Sequence, residues 1–195
     1  MPSEEKLQAE LTQAQDRVKK ANEKTKKNAP LPTMEKIKEP YGSSYRAMMA
    51  EVKDTLTNYE TMFPALKGKQ LEIAGFVWFQ GWNDMYGGAE KEYASNLAHF
   101  IRDVRKDLGV PKLPFVIAAM GQNGSKPAGG AMLEVREAQM SMNDVPEFKG
   151  NVKAIRSDVL VDADAERLRN EKDPAARKRD EALLQKYSGD DGYHY

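Results

Sequence analysis

Three strand-length apolar runs, residues 71–79 (LEIAGFVWF), 114–120 (PFVIAAM) and the shorter 151–156 (NVKAIR), are separated by stretches whose apolar residues recur at helical spacing. A strand that is apolar at nearly every position needs cover on both faces. A helix between two such strands returns the chain to the same end of the sheet, so the pattern predicts parallel strands covered by helices, an α/β fold. Tyr93, Leu97, Phe100, Ile101, Val104 and Leu108 line one face of the helix expected between the first two runs, and residues 131–142 supply the next helix. Residues 43–59 lead into the first strand with Tyr45, Met48, Met49, Val52 and Leu56 in helical step, and residues 163–187 form a charged, mostly helical segment interrupted at Pro174. The paired methionines in these helices read as packing residues.

The N-terminal stretch is different in character. Residues 3–27 are dense in charge and set Leu7, Leu11, Ala14, Val18 and Ala21 four and three apart, the stripe of an exposed amphipathic helix. Pro30, Pro32 and Pro40 then break helix and mark a linker over residues 28–41. The expected organisation is a charged helical insertion with its proline-containing linker, residues 1–40, followed by an α/β domain over residues 41–195. Thirty basic residues balance thirty acidic ones, so nothing global attracts nucleic acid or an anionic membrane, and a neutral or modestly polar small molecule suits the chain better. The absence of cysteine removes disulfides, thiolate catalysis and sulfur-ligated metals. No run approaches the roughly 20 apolar residues of a membrane helix, and residues 1–10 lack the apolar core of an export signal. Localisation stays open on sequence alone.

In open parallel sheets ligands bind beyond the carboxyl ends of the strands. The first run ends in Trp78-Phe79-Gln80-Gly81-Trp82-Asn83-Asp84, which contains both tryptophans of the chain. Gln80 and Asn83 carry amide N–H groups suited to a developing oxyanion, Gly81 lets backbone approach a ligand, and Trp82 and Asp84 lie where a substrate would pass. The same segment also reads as a strand-to-loop turn anchored by aromatics, and that alternative stays open. At the other end, Asp191-Gly192-Tyr193-His194 sets a carboxylate three residues before a histidine. Such a pair fixes the imidazole tautomer and stabilises the imidazolium formed when the ring takes a nucleophile's proton. The spacing is cheap by chance and gains weight only from its company. His99 reads as a solvent-facing helix residue, and Asp158, Asp162 and Asp164 as a solvated acidic loop rather than a cation site.

WFQGWND and DGYH together resemble the SGNH-type hydrolases, and within them the sialate O-acetylesterase-like carbohydrate esterases. The likeness extends through YASNLAHFIRDVRKDLGVPKLPFVIAAMG and VREAQMSM to the final YHY. The resemblance implies a flavodoxin-like three-layer α/β/α sandwich with a parallel sheet of order 2-1-3-4-5, here incomplete, its last three strands being the three apolar runs. It implies hydrolysis of acetyl esters on a carbohydrate with no metal or organic cofactor. Gln80 becomes an oxyanion-hole donor, His194 the general base and Asp191 its orienting acid, with Asn83 a second candidate for the hole.

The family's nucleophilic serine, in a Gly-Gln-Ser-Asn-like stretch after the first strand, has no counterpart here. Ser43 and Ser44 follow Gly42 but open a helical pattern and read as helix caps, and Ser125 follows the wrong strand. The expectation is therefore a fragment inactive by itself. The alternative is a non-catalytic remnant that binds carbohydrate or a protein partner. A missing neighbour would leave residues 71–79 as an exposed, apolar sheet edge, so self-association is expected. Analytical ultracentrifugation should show oligomers, and a monodisperse monomer would count against a missing strand.

Overall fold

The computed structural model describes residues 2–121 and 125–187; Asp191 and His194 lie outside the described residues. The chain forms two compact units, Met1–Ala74 and Gly75–Tyr195.

In the first unit, α1 (Glu4–Thr25) starts at Ser3, whose hydroxyl accepts the Lys6 N–H, and ends at Lys26, a non-glycine residue with φ 51°. The proline-containing stretch folds back onto α1. The Asn22 side chain bonds both the N–H and the C=O of Ala29 at 2.9 Å, Gln15 Nε2 donates to Pro32 O at 3.0 Å, and Tyr41 Oη reaches both Glu10 oxygens at 2.8 Å. A short helix, α2 (Met34–Lys38), capped by Thr33, completes the turn. α3 (Ser43–Met62) opens behind Gly42 in the left-handed region with no side-chain cap bond, so Ser43 and Ser44 do not cap it as expected. The cap position falls on Gly42, whose φ of 72° favours a residue without a Cβ and which has no side chain to cap with.

The second unit is built on a parallel sheet of order β1-β2-β3: β1 (Phe76–Trp78), β2 (Phe115–Ala119) and β3 (Val152–Arg156). Phe76 pairs with Phe115 and Phe115 with Val152, which aligns the carboxyl ends of the strands. β1 is much shorter than the apolar run that contains it. Its partner strand begins behind Pro114, which accepts the Phe76 N–H at 2.8 Å but has no N–H of its own to offer, so residues 71–75 have no ladder to join.

One face of the sheet is covered by α4 (Tyr93–Asp107) and α5 (Gly130–Met140). Phe100 of α4 enters an aromatic cluster: Phe76 and Phe115 stack at 4.8 Å, and Phe100 meets Phe76 edge-on at 5.6 Å and Trp78 at 4.4 Å. Such pairs contribute about 0.5–1.5 kcal/mol each beyond burial. Arg105, buried on the same helix, donates to Leu113 O at 2.8 and 3.1 Å and to the Asn151 side chain, and its guanidinium lies 5.5 Å from the Phe115 and Phe148 rings. It ties α4 to the segments entering β2 and β3.

The other face departs from the expected double cover. Phe115, Ile117 and Ala119 are buried, whereas Val77, Val116 and Ile155 are 73%, 40% and 41% exposed. Their apolar character calls for a second layer that the described residues do not supply. β1 also pairs only with β2 among the described residues, the arrangement on which the expected self-association rests.

Candidate functional site

Gln80 lies two residues beyond β1, at the carboxyl end of the sheet, and its position is held from three sides. Its carbonyl oxygen accepts Tyr93 Oη–H and Gln139 Nε2–H, both at 2.7 Å. Its side-chain Nε2 donates to Asp84 Oδ2 at 2.6 Å, and its Oε1 lies 3.3 Å from Tyr93 Oη. Asp84 belongs to a 3-10 turn, Asn83–Met85, so the turn places the carboxylate four residues on, back over the amide. The two contacts fix the plane of the Gln80 amide. An amide nitrogen carries two hydrogens, and the second is engaged by no described residue.

Gln139 connects this strand end to its neighbour. It is fully buried on α5; its Nε2 also lies 3.2 Å from Tyr93 Oη, and its Oε1 accepts the Met120 N–H at 2.9 Å just beyond β2. Trp78 Nε1 donates to Tyr93 Oη at 3.2 Å. Burial pushes the Tyr93 phenol above its ordinary pKa, with the hydrogen bonds from Trp78 and Gln139 opposing, so the neutral hydroxyl persists well above neutral pH.

Gly81 follows with φ 153°, and a Cβ there would meet Val135 Cγ1 at 2.9 Å, Met120 Cγ at 3.1 Å and Gln139 Nε2 at 3.2 Å. The close approach it permits is that of α5 against the strand end. Trp82, 48% exposed, and the exposed Asn83 stand on the solvent side of the turn. The structure thus groups Gln80, Gly81 and Asp84 in one bonded cluster, with Trp82 and Asn83 beside it.

Farther along the strand ends, Arg136 donates Nε to Met120 O at 2.9 Å and Nη1 to Asp158 Oδ2 at 3.0 Å; Arg156 also bonds Asp158. The Arg156 hydrogen bond, joined by the charge of Arg136, holds the Asp158 carboxyl below the usual carboxylate range. Asp158 is thus not the solvated loop residue expected, its side chain being 7% exposed between two arginines, while Asp162 caps α6 (Ala163–Asn170) by accepting the Asp164 and Ala165 N–H groups. His99 is exposed, and Ser125 donates its backbone N–H to Glu166 at 3.0 Å.

Sequence reasoning missed Tyr93, Gln139, Arg136 and the tie to Asp158. Tyr93 looked like one more apolar position of a helix face. Gln139, however, stands four residues after the buried Val135, a polar residue on a core-facing stripe, and that misfit was a readable signal.

An α/β unit that presents a fixed amide and an ion-paired arginine at the carboxyl ends of parallel strands has the layout of a small-molecule site. The chain belongs to the family of carbohydrate esterases described as sialic acid-specific acetylesterases, whose model matches residues 13–172. That stretch includes Gln80 to Asp84 and stops short of Asp191 and His194. Over 72 residues the chain is 33% identical to a probable carbohydrate esterase of Arabidopsis thaliana, covering 36% of this chain and 26% of that protein. The chain therefore spans well under two thirds of the curated relative it matches. A crystal structure of an Arabidopsis thaliana protein is similar over 58% of this chain and 39% of its own, at 24% identity and a TM-score of 0.42.

Proposed function

We propose that this chain carries the oxyanion-stabilising and base-supplying part of a serine-type carbohydrate acetylesterase site of SGNH type. The serine comes from sequence outside this chain, and the chain alone is inactive. In the complete site the serine Oγ attacks the acetyl carbonyl while His194, oriented by Asp191, takes its proton. The Gln80 amide donates to the tetrahedral oxyanion. His194 then returns the proton to the leaving sugar oxygen, and water attacks the acyl-enzyme to release acetate and regenerate the serine. None of these steps calls on a metal or an organic cofactor. Asn83 is a second donor for the hole, and Gly81, Trp82 and Asp84 adjoin the substrate.

The observation that supports this reading best is the Gln80 amide, oriented by Asp84 through one N–H while the other is engaged by no described residue. A preoriented donor needs no reorganisation as charge develops, and a single such donor is worth about 10²–10³ in rate.

Two measurements test the proposal. With 4-nitrophenyl acetate and a fluorophosphonate probe, the isolated chain should show neither hydrolysis above the blank nor labelling; a labelled serine would place the nucleophile in this chain. In the second, the tetrahedral anion 4-nitrophenyl methylphosphonate should shift the Gln80 side-chain amide resonance in ¹⁵N-resolved NMR, and Gln80→Ala should weaken phosphonate binding. An unmoved Gln80 signal at saturating phosphonate would exclude it from the hole.

A further inference from the structure

Tyr93 stands at the centre of the bonded frame behind Gln80, and the protons around it can be counted. We propose that Tyr93 is the positioning residue of the oxyanion-hole amide: its single hydroxyl proton, driven onto Gln80 by two incoming donors, fixes which end of the Gln80 side chain donates. The inference rests on the esterase reading for what that amide does, and adds the residue that holds it.

The order of the network starts at a backbone group. The Met120 N–H can only donate, so the Gln139 atom facing it at 2.9 Å is Oε1, and Nε2 is turned toward Tyr93 and Gln80. Gln139 Nε2 lies 3.2 Å from Tyr93 Oη and 2.7 Å from Gln80 O. Trp78 Nε1, which also can only donate, meets the same Oη at 3.2 Å. A hydroxyl has one proton to give, and with two donors arriving its lone pairs are taken. The proton therefore goes to Gln80, whose carbonyl oxygen is 2.7 Å away and whose Oε1 is 3.3 Å away.

That direction decides the polarity of the side chain. An amide turned end for end would set its N–H against an oxygen that already accepts twice, and its Oε1 against the Asp84 carboxylate, which as an anion only accepts. Both neighbours select the same arrangement, Nε2 on Asp84 and Oε1 on Tyr93. Their holds differ in strength of enclosure. Asp84 is half-buried and open to water, whereas Tyr93 is 5% exposed and Gln139 fully buried, so the contact on the inner side is shielded. One hydrogen bond leaves the amide free to swing about that contact, and the second fixes its plane. A donor fixed before charge develops is what an oxyanion hole requires.

The test is ¹⁵N relaxation NMR on the full chain without ligand. The Gln80 side-chain NH₂ should be as ordered as the β1 backbone, with an order parameter of about 0.85, while the exposed Gln8 and Gln13 side chains fall below about 0.6. Tyr93→Phe keeps the ring and removes the proton; it should bring the Gln80 side chain below about 0.6 with the backbone signals of β1 and β2 in place. Trp78→Phe leaves the Tyr93 hydroxyl and removes one donor that directs it. Gln80 should loosen in the same direction by a smaller amount, and this variant carries the test if Tyr93→Phe does not fold. A wild-type Gln80 side chain as mobile as that of Gln8, wild-type order in both variants, or order lost equally along β1 and β2 would each overturn the proposal, the last by showing a role in packing alone. The ligand-free spectra decide what Tyr93 does to the amide. Phosphonate affinity unchanged in a variant whose amide has loosened would overturn the oxyanion reading and leave Tyr93 the holder of Gln80.

Discussion

Replacing Gln139 by leucine is expected to lower the melting temperature of the Gly75–Tyr195 unit by roughly 8–16 °C, for a loss of about 2–4 kcal/mol at about 4 °C per kcal/mol. The side chain is fully buried and joins three groups: the Gln80 carbonyl, Tyr93 Oη and the Met120 N–H. Leucine fills a similar volume, so cavity formation contributes little. The cost comes from polar groups left behind. Met120 N–H loses its side-chain acceptor, and an unmet donor in a part-buried site costs about 1–3 kcal/mol. The Gln80 carbonyl keeps Tyr93 Oη as a partner at 2.7 Å, which limits the damage at β1. Differential scanning calorimetry reads the stability, and the Gln80 amide resonance reports whether the strand end has shifted. If both stay at their wild-type values, Gln139 does not organise the site.

The parallel α/β core was legible because its signals are local. The runs around Phe76–Trp78, Phe115–Ala119 and Val152–Arg156 are apolar, the helices between them keep a 3.6-residue period, and both survive in the structure. Strand extent was not legible in the same way. Whether residues 71–75 join a ladder depends on Pro114 in a segment some forty residues away, and periodicity within the run carries no record of that proline. The course of the proline-containing stretch was not legible for a related reason: Pro30 and Pro32 do break helix, but the Asn22, Gln15 and Glu10 side chains of α1 bring the chain back. At the site, WFQGWND marked the strand end because amides and a glycine directly after a buried strand are unusual there. The roles within it needed coordinates. Asp84 orients the Gln80 amide and Gly81 receives α5, and both depend on Tyr93, Val135 and Gln139, which come from other elements.

Gly81→Ala should destabilise the same unit by about 2–6 kcal/mol, combining overpacking of about 1–3 kcal/mol with backbone strain of similar size. The two parts can be separated. At φ 153° an L-residue is strained whatever surrounds it, while the steric part comes mainly from Val135 Cγ1, 2.9 Å from the new Cβ. Val135→Ala removes that methyl, and because Val135 is buried it carries a cavity cost of its own. In the double variant the new methyl occupies part of the space that Val135 vacates. The combined loss should therefore fall below the sum of the single losses by about 1–2 kcal/mol, a coupling in the range expected for residues in contact. The strain component should remain, so the double variant should not regain wild-type stability. Urea denaturation of the four proteins measures the cycle. Strictly additive losses would show that Val135 does not set the limit at Gly81. The closer packing against α5 in wild type is also what brings Gln139 within reach of the Gln80 carbonyl, so Gly81→Ala should broaden or shift the Gln80 amide signal even where the unit remains folded.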